Sequence, residues 1–163
     1  MSMAKIRELS LDDCKALAQL DSRIFSEPLS EQGFEREFNN KNAMTFVAKV
    51  ENKMAGYINL WGVCGEVSLN NIAVAEEFRG QGIGKALMQT AFDKLSDYFG
   101  KCEIITLEVR KSNYTAISMY EKFGFKQAGL RKNFYRKPDE DAILMNKDLK
   151  GDIENDNQRN KQK

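Results

Sequence analysis

Polar and apolar positions change period several times along the chain, and each change marks an element. Lys5–Leu9 alternates polar with apolar, the pattern of a half-buried strand. Ser10 with Asp12 and Asp13 predicts a helix start, because carboxylates suit the positive end of a helix dipole. Leu11, Cys14, Leu17, Ala18 and Ile24 follow at roughly helical spacing, and Pro28 breaks the run. Ser30 with Glu31 opens a shorter helix through Phe34 and Phe38. Thr45–Val50 and Met54–Trp61 read as strands joined by a Glu51-Asn52-Lys53 turn. Gly65 precedes another strand, Glu66–Val74.

The second half is as legible. Ile83, Leu87, Ala91 and Leu95 are spaced by four and form one apolar stripe of a helix that ends at Gly100. Glu103–Val109 reads as a strand, and Asn113–Phe123 as a helix closed by Gly124. Phe125–Leu130 and Ala142–Leu149 read as two last strands, separated by a polar loop containing Pro138. The order β-α-α-β-β-β-α-β-α-β-β predicts a mixed α/β (α+β) fold around one sheet. From residue 150 the composition changes, with Ile153 the one apolar side chain. Residues 150–163 are expected to be a disordered polar tail behind a single domain, 1–149.

Composition narrows the chemistry. With 163 residues, 42% of them hydrophobic, the chain suits one domain with a real core. Its 25 basic and 24 acidic residues nearly cancel, so no electrostatic footprint for nucleic acid or a membrane surface is present. There is no histidine. Ser-His-Asp and Cys-His nucleophilic systems are excluded, as is the commonest metal ligand, and no metal is expected. Cys14, Cys64 and Cys102 form no CxxC signature, so a reducing cytosol and a packing role suit them better than a disulfide framework or an acyl-cysteine route. The first residues lack a signal-peptide apolar region, and no apolar run approaches the ~20 residues of a membrane helix. The expectation is a soluble, cytoplasmic protein, a monomer or weak dimer, with no nucleic-acid or membrane partner.

The segment Arg79-Gly80-Gln81-Gly82-Ile83-Gly84-Lys85 lies between a predicted strand and an amphipathic helix. Amides at a helix start point outward and suit a diphosphate, and Arg79 and Lys85 add positive charge. A flexible strand–helix turn is an equal reading of this segment alone. It is no Walker motif, since the spacing and the terminal Lys-Ser/Thr are missing. Arg79-x-x-Gly82-x-Gly84 resembles the acyl-CoA pyrophosphate loop of the GCN5-related N-acetyltransferases (GNAT). The preceding Asn70-Asn71-Ile72-Ala73-Val74 also resembles that family. The resemblance covers about residues 4–149. It implies a sheet with a splayed central strand pair and acetyl-CoA as co-substrate. It also implies that the backbone of Ile72, Ala73 and Val74 bonds the pantetheine arm.

Two further residues draw attention. In Ile104-Ile105-Thr106-Leu107-Glu108-Val109, alternation puts Glu108 on the face opposite Ile105, Leu107 and Val109. Partial desolvation there would raise its pKa toward that of a useful base, but a strand carboxylate paired with Arg110 or a lysine fits the pattern better. Tyr120 follows Ala116 by four and Ile117 by three, on the apolar side of its helix. Read alone it is a core tyrosine, and its phenol stays protonated at neutral pH. Together, Leu107-Glu-Val-Arg-x-Ser-Asn113 and Ala116-Ile-x-x-Tyr120-Glu-x-x-Gly-Phe125 resemble the RimI branch of the family, the bacterial ribosomal-protein alanine N-acetyltransferases. That resemblance implies Glu108 as general base, Tyr120 as general acid and Asn113 as a CoA contact.

Arg131–Ala142 resembles the loop of protein N-terminal acetyltransferases that narrows the groove over the acceptor. It implies acceptor-binding roles for Tyr135, Glu140 and Asp141; a solvated, charged hairpin tip is the other reading. Pro28-Leu29-Ser30-Glu31 resembles the family's Pro-Trp-Ser-Glu, with Leu29 in place of tryptophan at the acceptor site. The implied acceptor is a protein N-terminus, the N-terminal alanine of a small-subunit ribosomal protein. Lysine side chains, a polyamine or an antibiotic amine are the alternatives within the fold. A non-catalytic acetyl-CoA-binding module is the alternative outside it, and the presence of both Glu108 and Tyr120 argues against that.

Overall fold

The computed structural model describes residues 3–150, so all but the first residue of the predicted tail lies outside the described residues. The strands are β1 (Lys5–Glu8), β2 (Ala43–Val50), β3 (Lys53–Val63), β4 (Glu66–Val74), β5 (Ile104–Arg110), β6 (Lys126–Tyr135) and β7 (Glu140–Asp148). The α-helices are α1 (Cys14–Ile24), α2 (Glu31–Asn39), α3 (Ile83–Phe99) and α4 (Tyr114–Lys122). The strands hydrogen-bond in the order β1-β2-β3-β4-β5-β7-β6. Pairing is antiparallel at β1–β2, β2–β3, β5–β7 and β6–β7, and parallel at β4–β5. A mixed, mostly antiparallel sheet with helices is the architecture that the element order predicts.

The chain divides into two compact units, Met1–Trp61 with Leu69–Tyr98, and Gly62–Ser68 with Phe99–Lys163. In the first, Leu9, Cys14, Leu17, Leu20, Phe34, Val47, Tyr57, Ala73 and Ala75 form one buried cluster. The α3 stripe is buried as its spacing requires, with Ile83, Leu87, Ala91 and Leu95 at 6% exposure or less. β2 and β3 are joined at Glu51 and Asn52, both at positive φ, the two-residue turn whose twist suits a hairpin. Lys53 therefore belongs to β3 and pairs with Val50, one residue short of the three-residue turn expected. The helix start read at Ser10 holds: Ser10 and Asp13 form a capping box, and the helical run enters α1 through one 3-10 turn. Leu11–Asp13 is a 3-10 turn ahead of α1, and Leu11 is exposed instead of joining the apolar stripe.

In the second unit, the parallel ladder joins Glu66–Ser68 to Ile104–Thr106 and ends there. Along β5, Ile105, Leu107 and Val109 are buried while Ile104, Thr106, Glu108 and Arg110 are partly open, as alternation predicts. β6 corrects the expected loop. It runs to Tyr135, so Arg131–Tyr135 is strand, and only residues 136–139 connect it to β7. The reason for the misreading is physical. β6 is last in the strand order and almost wholly exposed, so it has no apolar face to set an alternation.

Candidate active site

The glycine segment lies in the first unit. After β4 a 3-10 turn, Glu76–Phe78, leads to Arg79, whose Nε donates to the Val74 carbonyl at 3.1 Å. Gly80 and Gly82 have φ of +76° and +78°, and a Cβ on either would meet no neighbour. The turn thus requires glycine for backbone conformation, not for crowding. Ala86 donates to the Gly82 carbonyl at 3.0 Å as α3 begins. The amides of Ile83, Gly84 and Lys85 precede that bond, at the positive end of a 17-residue helix. Ile83 is 4% exposed, whereas Gln81 and Lys85 are exposed. Ala73 is likewise buried, with Ile72 and Val74 half-buried on either side.

Leu29, also in the first unit, is fixed from below. Its amide donates to Asp21 Oδ2 at 3.0 Å, and its side chain packs so closely on Gly33 that a Cβ there would stand 2.5 Å from Leu29 Cγ. Asp21 Oδ1 accepts from the Tyr57 hydroxyl at 2.6 Å. Asp21 and Tyr57 are 36 residues apart in sequence, and no local pattern announced their pairing.

The remaining site residues lie in the second unit. Glu108 keeps 31% of its side chain open and pairs with Arg131 Nη2 at 3.4 Å. The expected partners were Arg110 or a lysine. Arg110 shares the Glu108 face of β5 but is committed elsewhere. Its Nη1 donates to the Pro138 carbonyl at 2.9 Å and to Glu140 Oε1 at 3.3 Å, and its Nη2 to the Arg136 carbonyl at 3.0 Å. Its guanidinium carbon lies 4.5 Å from the centre of the Tyr135 ring. Glu140 Oε2 accepts from the Ser112 amide at 2.7 Å, so both carboxylate oxygens are engaged within the chain. The Ser112 bonds, with Arg110 beside them, hold this carboxyl below the usual carboxylate range. Asp141 Oδ1 accepts from the Asn133 amide at 2.9 Å.

Tyr120, on α4, is 5% exposed, its ring 5.9 Å from that of Phe125. Burial pushes its phenol well above the ordinary value, and Tyr135 adds to the effect. Tyr135 is half-buried and pushed up to about 12, first by burial and then by the Glu108 carboxylate. Arg110 opposes that rise and Glu140 adds to it. Tyr135 is thus within electrostatic reach of Glu108, Arg110 and Glu140, and Tyr120 within reach of Tyr135. Asn113 is the N-cap of α4; its Oδ1 accepts from the Ala116 amide at 3.2 Å, a capping role its motif had not suggested. Cys14 and Cys102 are buried thiols that burial pushes up, as packing residues should be. Cys64 is not one; it is exposed in the β3–β4 turn.

Sequence reasoning missed Arg110. Its signal was its strand face, which alternation shared with Glu108.

Comparison with known proteins gives the family. The Acetyltransferase (GNAT) family matches residues 14–125. The chain belongs to the GNAT acetyltransferase family. It is an enzyme of N-acetyl transfer, and proteins of this family use acetyl-CoA. It is 35% identical over 147 residues to a ribosomal protein bS18-alanine N-acetyltransferase of Escherichia coli (strain K12), covering 88% of this chain and 96% of that one. It is 31% identical over 153 residues to an N-alpha-acetyltransferase of Sulfurisphaera tokodaii, covering 86% and 90%. The crystal structure of the ribosomal-protein-S18-alanine N-acetyltransferase from Escherichia coli superposes with a TM-score of 0.81 at 33% identity, covering 90% and 94%. Among the described residues, no helix is long and apolar enough to cross a membrane.

Proposed function

We propose that this chain transfers acetyl from acetyl-CoA to the N-terminal α-amine of a protein, the N-terminal alanine of a small-subunit ribosomal protein. The observation that carries the reading is the part-open Glu108 carboxylate on β5, paired at 3.4 Å with Arg131 of β6, the strand that ends in Tyr135. The likeness to relatives named for N-terminal acetylation supports it.

The acceptor must attack as a neutral amine. An α-amine, with pKa ~7.7–8.0, needs far less help than a lysine at ~10.4, so a carboxylate suffices as base. Glu108 takes the proton, and its open third leaves room for a relaying water. The nitrogen attacks the thioester carbonyl, the C–S bond breaks as the amide forms, and no covalent enzyme intermediate is required. The departing sulfur receives the Tyr120 proton, and the phenolate takes up the proton that the nitrogen sheds as the amide forms, which restores the protonated phenol that burial favours. The diphosphate of acetyl-CoA rests on residues 79–85, with Arg79 and Lys85 supplying charge. The amides near Ile72–Val74 bond the pantetheine arm and polarise the carbonyl. Asn113 contacts the CoA, and Leu29, Tyr135, Glu140 and Asp141 shape the acceptor site. The reaction requires no metal.

Release of free thiol from acetyl-CoA with three acceptors tests this. They are a peptide bearing the N-terminus of the organism's own S18 protein, the same peptide with a blocked α-amine and a free lysine, and a polyamine. Turnover on the first alone is expected. Preference for either of the others overturns the N-terminal acceptor. Acetyl-CoA binding with no turnover on any leaves a non-catalytic module.

A further inference from the structure

Arg110, at the end of β5, bonds the carbonyls of Arg136 and Pro138 in the β6–β7 connection, and no acceptor role accounts for these bonds. Other ties at the hairpin end are the Asn133 amide on Asp141 Oδ1 at 2.9 Å and the Lys111 amide on the Asp141 carbonyl at 3.1 Å. β6 is exposed along nearly its whole length, its register with β7 shifts between Arg131 and Tyr135, and Tyr135↔Glu140 is the pair that closes it. Into this end Arg110 sends three hydrogen bonds, to the carbonyls of Arg136 and Pro138 and to Glu140, while its plane lies against the Tyr135 ring. Glu140 completes the clamp by accepting from the Ser112 amide, two residues beyond β5. A guanidinium can do all of this at once because its donors form a rigid planar fork; an ammonium supplies the same charge without the fork or the flat face.

We infer that Arg110 is a positioning residue: with Glu140 it clamps the β6–β7 hairpin to the end of β5 and thereby sets the orientation of Tyr135 toward the first peptide unit of the acceptor. The inference rests on the N-terminal acceptor reading above. Arg110 touches no reacting atom. It acts through Tyr135, and the chemical step belongs to Glu108 and Tyr120.

The test is Arg110→Lys, with Glu140→Gln as a second route into the same clamp should the first fold poorly. In the intact chain, Arg110→Lys raises KM for the N-terminal peptide about tenfold or more, the consequence of losing an oriented contact. KM for acetyl-CoA stays unchanged. In a Tyr135→Ala background the same substitution has little further effect on peptide KM, because the residue it positions is gone. A merely structural arginine would give additive losses instead. A second readout does not depend on the acceptor. Limited trypsin digestion cuts after Arg131, Lys132 or Arg136 faster in Arg110→Lys than in the wild type. Faster cleavage of Arg110→Lys, together with a wild type that acetylates no α-amine, would sink the acceptor reading and keep the clamp. Normal turnover on the N-terminal peptide, with neither peptide KM nor cleavage altered in either variant, would overturn the clamp.

Discussion

Gly56 on β3 faces Ala73 on β4 so closely that a Cβ on Gly56 would collide with the Ala73 carbonyl oxygen, with Val74 Cα 3.3 Å away. Two residues on, the Ala75 amide donates to the Ala55 carbonyl at 2.7 Å, so the two strands are locked at this approach. The obstacle is backbone and cannot swing aside. Gly56→Ala must therefore displace Ala73 and Val74, the segment proposed to bond the pantetheine arm. The expected result is a loss of about 1–3 kcal/mol in stability, seen by urea unfolding, and a higher KM for acetyl-CoA with peptide KM little changed. A variant with wild-type KM for acetyl-CoA would dissociate this stretch of β4 from cofactor binding.

The acid and the base separate by kinetics. Tyr120→Phe keeps the ring against Phe125 and removes the hydroxyl. It should lower kcat by about 10²–10⁴ while acetyl-CoA binding, measured by calorimetry, is retained. An unchanged kcat would remove Tyr120 as the donor. Glu108→Gln removes the carboxylate and its pairing with Arg131. Its pH–rate profile should then follow the acceptor amine alone, rising through ~7.7–8.0 without the carboxylate limb. An acidic limb identical to that of the wild type would count against Glu108 as base. Tyr135, pushed up to about 12, adds no ionisation to either profile below about pH 11.

Legibility in the sequence followed burial. The α3 stripe and the β5 alternation were readable because each presents one face to a core, and the period survives wherever that holds. The hidden parts depend on something else. β6 beyond Leu130 has no buried face, so five residues of strand resembled loop. Leu11 looked like part of the apolar stripe, but it lies in the 3-10 turn that Ser10 and Asp13 cap, and it is exposed. Glu108 and Tyr120 were found through a long motif, while Arg110, inside that motif, gained its meaning only from the carbonyls of Arg136 and Pro138 nearly thirty residues on. The Tyr57–Asp21 bond under Leu29 is equally non-local. Interactions of this kind fix how a loop is carried, and no sequence period encodes them.

Asp13 supplies a stabilising charge cluster with a definite pH dependence. Its side chain is fully enclosed, accepting from Arg7 at 2.7 and 2.8 Å and pairing with Lys49 at 3.2 Å. Burial alone would raise its pKa, but Arg7, Ser10 and Lys49 outweigh that and hold it well below the usual range. The unfolded chain then binds the proton first as pH falls. The stability from Asp13 is complete above its unfolded pKa of ~3.9 and is lost below it, toward the lower folded value. Asp13→Asn should cost about 3 kcal/mol at pH 7, with a difference from wild type that shrinks as pH drops below 4. A constant difference across that range would contradict the charge cluster.

Asp21 has the opposite sign, and it bears on the acceptor side. It is 1% exposed like Asp13 but has no cation beside it among its recorded partners, only the Tyr57 hydroxyl and the Leu29 amide. Burial raises its pKa above the ordinary value, and those two hydrogen bonds offset the rise in part. Between the unfolded value of ~3.9 and the higher folded value, the native state holds the proton that the unfolded chain has released, so this group's contribution falls as pH rises through that window. Above it, the buried carboxylate depends on its two donors. Tyr57→Phe removes one and should destabilise the protein by about 1–3 kcal/mol at pH 7, with a smaller loss as pH falls and Asp21 takes up its proton. Because the other donor is the Leu29 amide, the same substitution should loosen the α1–α2 connection and raise peptide KM, leaving acetyl-CoA KM alone. Equal losses at pH 4 and pH 7 would mean that the Tyr57 hydroxyl acts independently of the Asp21 charge.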